Sequence, residues 1–546
     1  MIIYVKLLSN YWHTIRYLKL RQILGRIQRK FKFNSINTSS ANKLRKSIGL
    51  WEIPAKRSQR MIKKNVFRFL NETHQINAQE DWNNSSWAKL WLYNLHYFDD
   101  LTAINSRKRA GWHNFILEKW IDENQVGKGN GWEPYTISLR IVNWIKWSLS
   151  GNELNKNHII SLNTQVHYLT KNLETHLLGN HLFANAKALI FAGLFFEGDD
   201  ASVWYKTGNK ILLDEISEQI LSDGGNFELS TMYHSIILED LLDLYNLHKL
   251  FDIIPLNEIE VTISKMINWL VTMCHPDSEI SFFNDAALDN TPPVEELLKY
   301  AKRLGFTEQK PLSLVTHLNE SGYSRVTLKN AVAIIDRAAV GPDYLPGHAH
   351  ADTLSFELSL FSRRVVVNSG TSVYGIGSER TRQRGTLAHA TVVIDNENSS
   401  EVWSGFRVAR RAKVFKVKNL IQDKKTYLSA SHDGYKRLPG KPIHFRQWIF
   451  SEGLLEIIDY ISGKGNHNIK AVFPLHPDVI IVKGQKNNAI LDVANNEINV
   501  EFDGVGNLAI LESKYHPEFG LSLKNKKLVY QVDGQLPVEI ITRIHW

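Results

Sequence analysis

The chain has 546 residues, 43% hydrophobic and 22% charged, which excludes a largely disordered polymer and predicts two or more domains of roughly 100–200 residues. Its formal net charge of +9 is a mild bias toward an acidic partner, and no zinc-finger or RNA-binding motif accompanies it, so nucleic acid is not expected. Cys274 is the only cysteine, which excludes an intrachain disulfide and a Cys-rich zinc site.

The opening segment, "MIIYVKLLSNYWHTIRYLKLRQILGRIQRKF", is broken by Lys6, Asn10 and His13 and lacks a small-residue cleavage site. It reads as a basic amphipathic helix packed on the body of the protein, and residues 1–75 are expected to form a basic helical segment. With no signal peptide recognisable, the cytoplasm is the expected compartment and the periplasm the alternative. No stretch is long and apolar enough to span a bilayer. Residues 76–318 then repeat apolar positions at helical spacing, as in "LNTQVHYLTKNLETHLL", "KILLDEISEQIL" and "SIILEDLLDLYNLHKLF". Short Gly- or Pro-bearing connections predict successive antiparallel hairpins: a helical bundle, solenoid or toroid. Aromatic residues are dense here (Trp82, Trp91, Tyr93, Tyr97, Trp120, Trp144 among them), mostly as core, with a few available to stack on sugar rings. Between about 305 and 325 the period changes. Segments such as "AVAIIDRAA", "TLSFELSLF", "ATVVID" and "VEIITRI" are short and rich in β-branched residues, and residues 319–546 are expected to form a sandwich of antiparallel sheets.

Four polar clusters stand out. Gly179, Asn180 and His181 open the apolar helix "GNHLFANAKALIFAGLFF"; an ordinary helix cap would account for Asn180. "SDGGNFELSTMYH" sets Glu228 near Tyr233 and His234, with Ser230 placed to cap the following helix. "PGHAHAD" puts His348 and His350 on one face of an extended segment, a spacing that suits a metal or a pair of surface histidines. "VVVNSGTSVYG" followed by "ERTRQRGTLAHATVVID" supplies Asn368, Tyr374 and His389; with His350, Asn368 and His389 would complete an N/O ligand set.

One chemistry uses these types together. Removing the C5 proton of a uronic acid and expelling the oxygen at C4 requires a donor on the carboxylate, a base at C5 and an acid at the leaving oxygen. Asn180 can be the donor, His181 a base and Tyr233 an acid or base. The electropositive start of a helix suits an anionic sugar. No redox cofactor is needed.

In order along the chain, "GNHLFANAKAL", "DGGNFELSTMYH", "GHAHADTLSFEL", "VVVNSGTSVYG" and "RGTLAHATVVID" resemble the heparinase II/III superfamily of polysaccharide lyases. "YNLHYFDDL" is similar to members found near bacterial surface-polysaccharide clusters. The resemblance implies an incomplete (α/α) toroid followed by an antiparallel β-sandwich, with the cleft between them and an acidic polysaccharide as substrate. It implies Asn180 as carboxylate neutraliser and Tyr233 as general acid. His181 is then the base when proton and leaving group lie on opposite faces, and Tyr233 serves both roles when they share one. His348 and Tyr374 come from the sandwich side, and Glu228 and Arg140 are the expected substrate-binding residues. His350, Asn368 and His389 match a structural metal site, usually zinc. Many relatives carry Asp where this chain has Asn368, and a neutral amide is a poorer ligand, so zinc is expected to be weakened. The rival readings are a glycoside hydrolase using two of Asp223, Glu228 and Asp285, and a non-catalytic polysaccharide-binding or assembly protein.

Overall fold

A computed structural model describes residues 2–29, 42–253, 257–309, 311 and 313–546. Two helices, Ile2–Ile15 and Leu20–Arg29, open the chain. Among the described residues, 42–75 hold no helix. Met61–Lys63, Val66–Phe69 and Glu72–Gln75 form a three-stranded antiparallel sheet, a correction to the helical expectation for that stretch. Its second turn holds Leu70 and Asn71 at φ 52° and 58°, the left-handed pair of a type I′ hairpin, which closes strands too short to show a period. The sheet docks through Phe69, whose ring meets Trp91 edge-on at 5.2 Å.

Helices then run from Lys89–Tyr97 through Val294–Arg303 and build an incomplete (α/α) toroid. Its core is aromatic: Trp82, Trp91, Trp120, Trp144 and Trp147 are buried, and of the aromatic residues singled out above, Tyr93 and Tyr97 reach the cleft. From Val315 onward the chain is β-rich. Five strands between Val315 and Val366 form one antiparallel sheet in sequence order. An eight-stranded antiparallel sheet carries the C-terminal strand Val538–His545 between Leu454–Ser462 and Asn496–Asp503, and a four-stranded sheet faces it. Ile443–Ser451 shows the period-2 pattern of a sandwich strand: His444, Arg446, Trp448 and Phe450 turn inward and the intervening residues outward.

The two halves are joined by polar contacts. Trp269 donates from Nε1 to Ser321 Oγ (2.9 Å), and His275 bonds Glu357 and Ser359 of a sandwich strand, both at 2.8 Å. His350 donates its backbone N–H to Asn284 Oδ1 (2.9 Å), and the Asp285 N–H donates to the His348 carbonyl (3.0 Å). These bonds fix one wall of the cleft against the other.

Candidate active site

A cavity of about 860 Å³ lies where toroid and sandwich meet, lined by Asn180, His181, Glu228, Tyr233, His348 and Tyr374 among others. Each arrives by a local device. Helix Gly179–Phe195 is preceded by Leu178 at φ 66°, ψ −163°, a region almost reserved for glycine, which costs about 1–3 kcal/mol. Gly179 itself sits at φ +59°, and a Cβ there would lie 2.4 Å from Leu345 Cδ2. This strained corner delivers Asn180 and His181 to the cavity wall in the first turn of the helix. Helix Thr231–Leu250 is capped by Ser230, whose hydroxyl accepts from the Tyr233 N–H (3.1 Å) and donates to the Asp285 carbonyl (2.5 Å). Leu229, at φ 58°, turns the chain between Glu228 and that cap, and its carbonyl accepts from Tyr323 Oη (2.8 Å) and Asn284 Nδ2 (3.0 Å).

The side chains form a continuous wall. A Cβ at Gly179 would lie 3.6 Å from Glu228 Oε1, and Glu228 Oε2 lies 3.7 Å from His348 Nε2. The His348 ring stacks on Tyr233 with centroids 3.9 Å apart, and the Tyr233 and Tyr374 hydroxyls are 3.0 Å apart. His181 donates from Nδ1 to Glu174 Oε1 (3.1 Å) and packs on Tyr135 at 4.4 Å, leaving Nε2 for the cavity. Glu174 is held in turn, since its N–H donates to Asn185 Oδ1 (2.8 Å).

Electrostatics separate these groups. Burial raises Tyr233 and Tyr374 well above the usual phenol range, so both stay protonated near neutrality. Burial pulls His181 down, but Glu174 and the more distant Glu228 and Glu133 outweigh it, and the net shift is upward. Glu228 is 2% exposed and neither carboxyl oxygen has a hydrogen-bond partner. Burial pushes its carboxyl up against the opposing pull of His348 and His181. Asp285 has the opposite setting. It accepts from His348 Nδ1 (2.9 Å), His350 Nε2 (2.9 Å), Thr371 Oγ1 (3.2 Å) and both terminal nitrogens of Arg380. Burial opposes its charge, but Arg380 and the two imidazoles hold it well below the carboxylate range.

Arg140 is not at this site. It is fully buried in the toroid, its guanidinium 3.9 Å from the Trp120 ring centroid and its Nε donating to Gln165 Oε1 (2.9 Å). An arginine on an aromatic-rich helix reads as polar in sequence, but here it is a packing element. Three groups that shape the site were not singled out for it: Glu174, Tyr135 and Arg380. Glu174 lies seven residues before His181 but in the irregular turn ahead of the helix, where a helical period carries no meaning, while Arg380 lies inside the quoted "ERTRQRG" stretch.

The residues of the expected metal site do lie near one another, but their chemistry does not fit a closed zinc site. His350 Nδ1 and His389 Nε2 are 3.3 Å apart, and His350 Nε2 is taken by Asp285. Asn368 uses its carbonyl to accept the Ala390 N–H (3.3 Å), and its buried Nδ2 has no partner. Burial lowers the imidazoles to about 4 for His350 and about 3 for His389, so both are neutral. Two neutral imidazoles and an amide supply no anionic ligand, and Asp285 is committed elsewhere. Among the described residues no group of three or more His, Cys, Asp or Glu side chains could hold a metal.

The sequence matches the family model for the heparinase II/III N-terminus over residues 15–311 and the heparinase II/III-like C-terminal model over residues 310–545. The chain belongs to the heparinase II/III family. It is 26% identical over 473 residues to a heparin-sulfate lyase of Pedobacter heparinus, covering 80% of this chain and 67% of that one. It is 29% identical over 255 residues to a heparin-sulfate lyase of Bacteroides stercoris, covering 41% of this chain and 37% of that one. A heparinase III structure superposes with TM-score 0.66 at 18% identity, covering 87% of this chain and 79% of the other. The heparan sulfate lyase HepC of Pedobacter heparinus gives TM-score 0.57 at 20% identity, covering 88% and 81%. These likenesses match the toroid-plus-sandwich fold. Among the described residues no helix is long and apolar enough to cross a membrane.

Proposed function

We propose that the protein is a polysaccharide lyase that cleaves a uronic-acid-containing acidic glycan by β-elimination. The observation that carries this reading is the single cavity that Asn180, His181, Glu228, Tyr233 and Tyr374 share. The sugar carboxylate docks at the start of helix Gly179–Phe195, where free backbone N–H groups and the Asn180 amide meet negative charge. Glu228 lies beside that position, and burial pushes its carboxyl up, which lessens its repulsion of a bound carboxylate. The N–H groups and the Asn180 amide stabilise the charge that spreads into the carboxylate as the C5 proton leaves.

His181 takes the C5 proton on Nε2, its ring oriented by Glu174 as a catalytic histidine is oriented by its carboxylate. The C5–H electron pair forms the C4=C5 double bond, the C4–O bond breaks, and the departing oxygen takes the Tyr233 phenol proton. Tyr374 bonds the Tyr233 hydroxyl and sits ready to stabilise the phenolate left behind. On a substrate whose proton and leaving group share a face, Tyr233 would act as phenolate base at C5 and return that same proton to the departing oxygen, a route that its raised pKa disfavours. No step is routed through a metal.

The glycoside-hydrolase reading requires two carboxyls free to flank the bond. Asp285 is locked by Arg380 and two histidines, and Asp223 accepts from the Ser321 N–H and hydroxyl, which leaves Glu228 alone. Three of the cations that line the cavity are matched by carboxylates: Lys187 pairs with Asp240 and Asp243 at 2.7 Å, Lys146 with Asp243 at 2.8 Å, and Arg57 with Glu239, whereas Arg407 lies over the Tyr11 and Trp403 rings. The test is a panel of polyuronates and acidic surface glycans assayed for the near-ultraviolet absorbance of an unsaturated uronate. Wild type produces it on at least one polymer. Tyr233→Phe binds that polymer equally and turns over roughly 10²–10⁴-fold more slowly. Equal turnover by Tyr233→Phe would overturn the assignment.

A further inference from the structure

The N-terminal segment forms part of the cavity wall: Tyr11, Thr14, Ile15, Leu18, Gln22 and Arg26, from the two N-terminal helices and the turn between them, line it. These helices cross from one bank to the other. On the sandwich side Trp403 donates from Nε1 to Thr14 Oγ1 (3.2 Å), and Tyr11 meets the Trp403 ring edge-on at 4.9 Å. Gln22, 1% exposed, donates from Nε2 to the carbonyl of Tyr344 (3.3 Å) in the loop that leads to His348. On the toroid side Lys19 pairs with Glu218, at the end of helix Asp199–Gln219. Helix Leu20–Arg29 lies so close to the turn before Asn180 that a Cβ at Gly25 would stand 2.6 Å from His176 Cβ. The strap is thus anchored on both halves of the molecule, and its inner face is cavity wall.

A polymer cut in mid-chain must leave the active site in both directions. A strap tied to both banks stands across the cleft in the way of one of them. The enclosed space, about 860 Å³, falls within the roughly 300–1,000 Å³ range of pockets that bury a small ligand. We propose that the two N-terminal helices make this cleft a blind pocket that receives a chain end or a short oligosaccharide, so that uronate-containing chains are degraded exolytically from one end. The inference rests on the lyase reading for its chemistry and on the strap for its geometry.

Two measurements test it. The first follows product size and viscosity with time on a size-defined uronate polymer that the protein degrades. Wild type releases one small unsaturated product from the earliest points while viscosity falls slowly. Gly25→Leu, which forces helix Leu20–Arg29 off His176, and the double variant Tyr11→Ala/Trp403→Ala, which cuts the sandwich anchor, both shift early products to a ladder of intermediate sizes. A ladder from wild type, or strap variants with the wild-type product pattern, overturns the proposal. The second uses Tyr233→Phe and counts bound protein on chains of equal mass concentration and different length. Saturation that scales with the number of chain ends supports a blind pocket, and saturation that scales with chain mass overturns it. Binding at ends without any unsaturated product would remove the lyase reading and leave the blind pocket standing. Unsaturated products in a ladder would do the reverse.

Discussion

On one side of His348 the wall around Asp285 is saturated with donors; on the other, the wall around Glu228 has none. Both carboxyls are buried, and both face the same imidazole. Asp285 gathers Arg380, His348, His350 and Thr371, and its charge is the fixed point that orients His348 against Tyr233. Glu228 is left unpartnered at the cavity surface beside the start of the Asn180 helix. A fully satisfied network confers rigidity, whereas an unsatisfied buried group carries a desolvation cost that protonation or a ligand relieves. The contrast separates scaffold from binding surface within a few ångströms.

The contrast can be broken most severely at Asp285. Asp285→Ala strands the Arg380 guanidinium in the interior, and removing one partner of a buried pair costs about 3–5 kcal/mol. Denaturant unfolding is expected to show that loss, and turnover to vanish with it. The milder Asp285→Asn keeps the shape and separates lost charge from lost packing; stability equal to wild type in both variants would contradict the scaffold role.

Next in size is the histidine on the opposite wall. Glu174 raises the pKa of His181, so the acid limb of kcat/KM, which reports deprotonation of the base in the free enzyme, lies above the ordinary histidine value of about 6.5. Glu174→Gln removes that pull and moves the limb to lower pH, with a lower maximum as the ring loses its orientation. A pH profile that stays in place would show that His181 is not the base.

Glu228 is expected to act mainly on the pH dependence of stability. Its folded pKa is raised, so the folded state binds the proton more tightly than the unfolded chain. Its contribution is therefore complete below the unfolded value of about 4.3 and declines as pH rises through the folded value. Glu228→Gln removes this decline, so thermal midpoints of variant and wild type converge at acid pH and the variant is the more stable near neutrality. The reverse order would mean that the carboxyl is charged and partnered. The smallest effect concerns the neutral ligand set. Asn368→Asp supplies the missing anion beside His350 and His389 and is expected to make the thermal midpoint rise with zinc and fall with chelator. Wild type should respond weakly to either.

Much of this was legible in sequence because the physics is local. Helical period in the first half and strand period in the second set out the toroid and the sandwich, and Asn180, His181 and Tyr233 announced themselves as polar residues at helix starts. The sheet at 61–75 escaped because three- and four-residue strands carry no readable alternation and are held by their I′ turn. Arg140 misled because nothing in an amphipathic pattern distinguishes a guanidinium stacked on Trp120 from one facing a cleft. Glu174 escaped as an orienting group because it lies in the irregular turn before the His181 helix, where no period applies, and Asp285 because its partners lie 63 to 95 positions along the chain. The strap across the cleft escaped for the same reason as Asp285: Thr14 meets Trp403 across 389 positions of sequence.

Mass spectrometry of the products tests the central claim most directly. Elimination moves a proton from C5 to the leaving oxygen within the substrate, so the masses of the two fragments sum to that of the parent chain, and the non-reducing fragment end carries the unsaturation. Fragments whose summed mass exceeds the parent by one water, with no unsaturated sugar, would mean that the bond is hydrolysed and that Asn180, His181 and Tyr233 do not do what is assigned to them here.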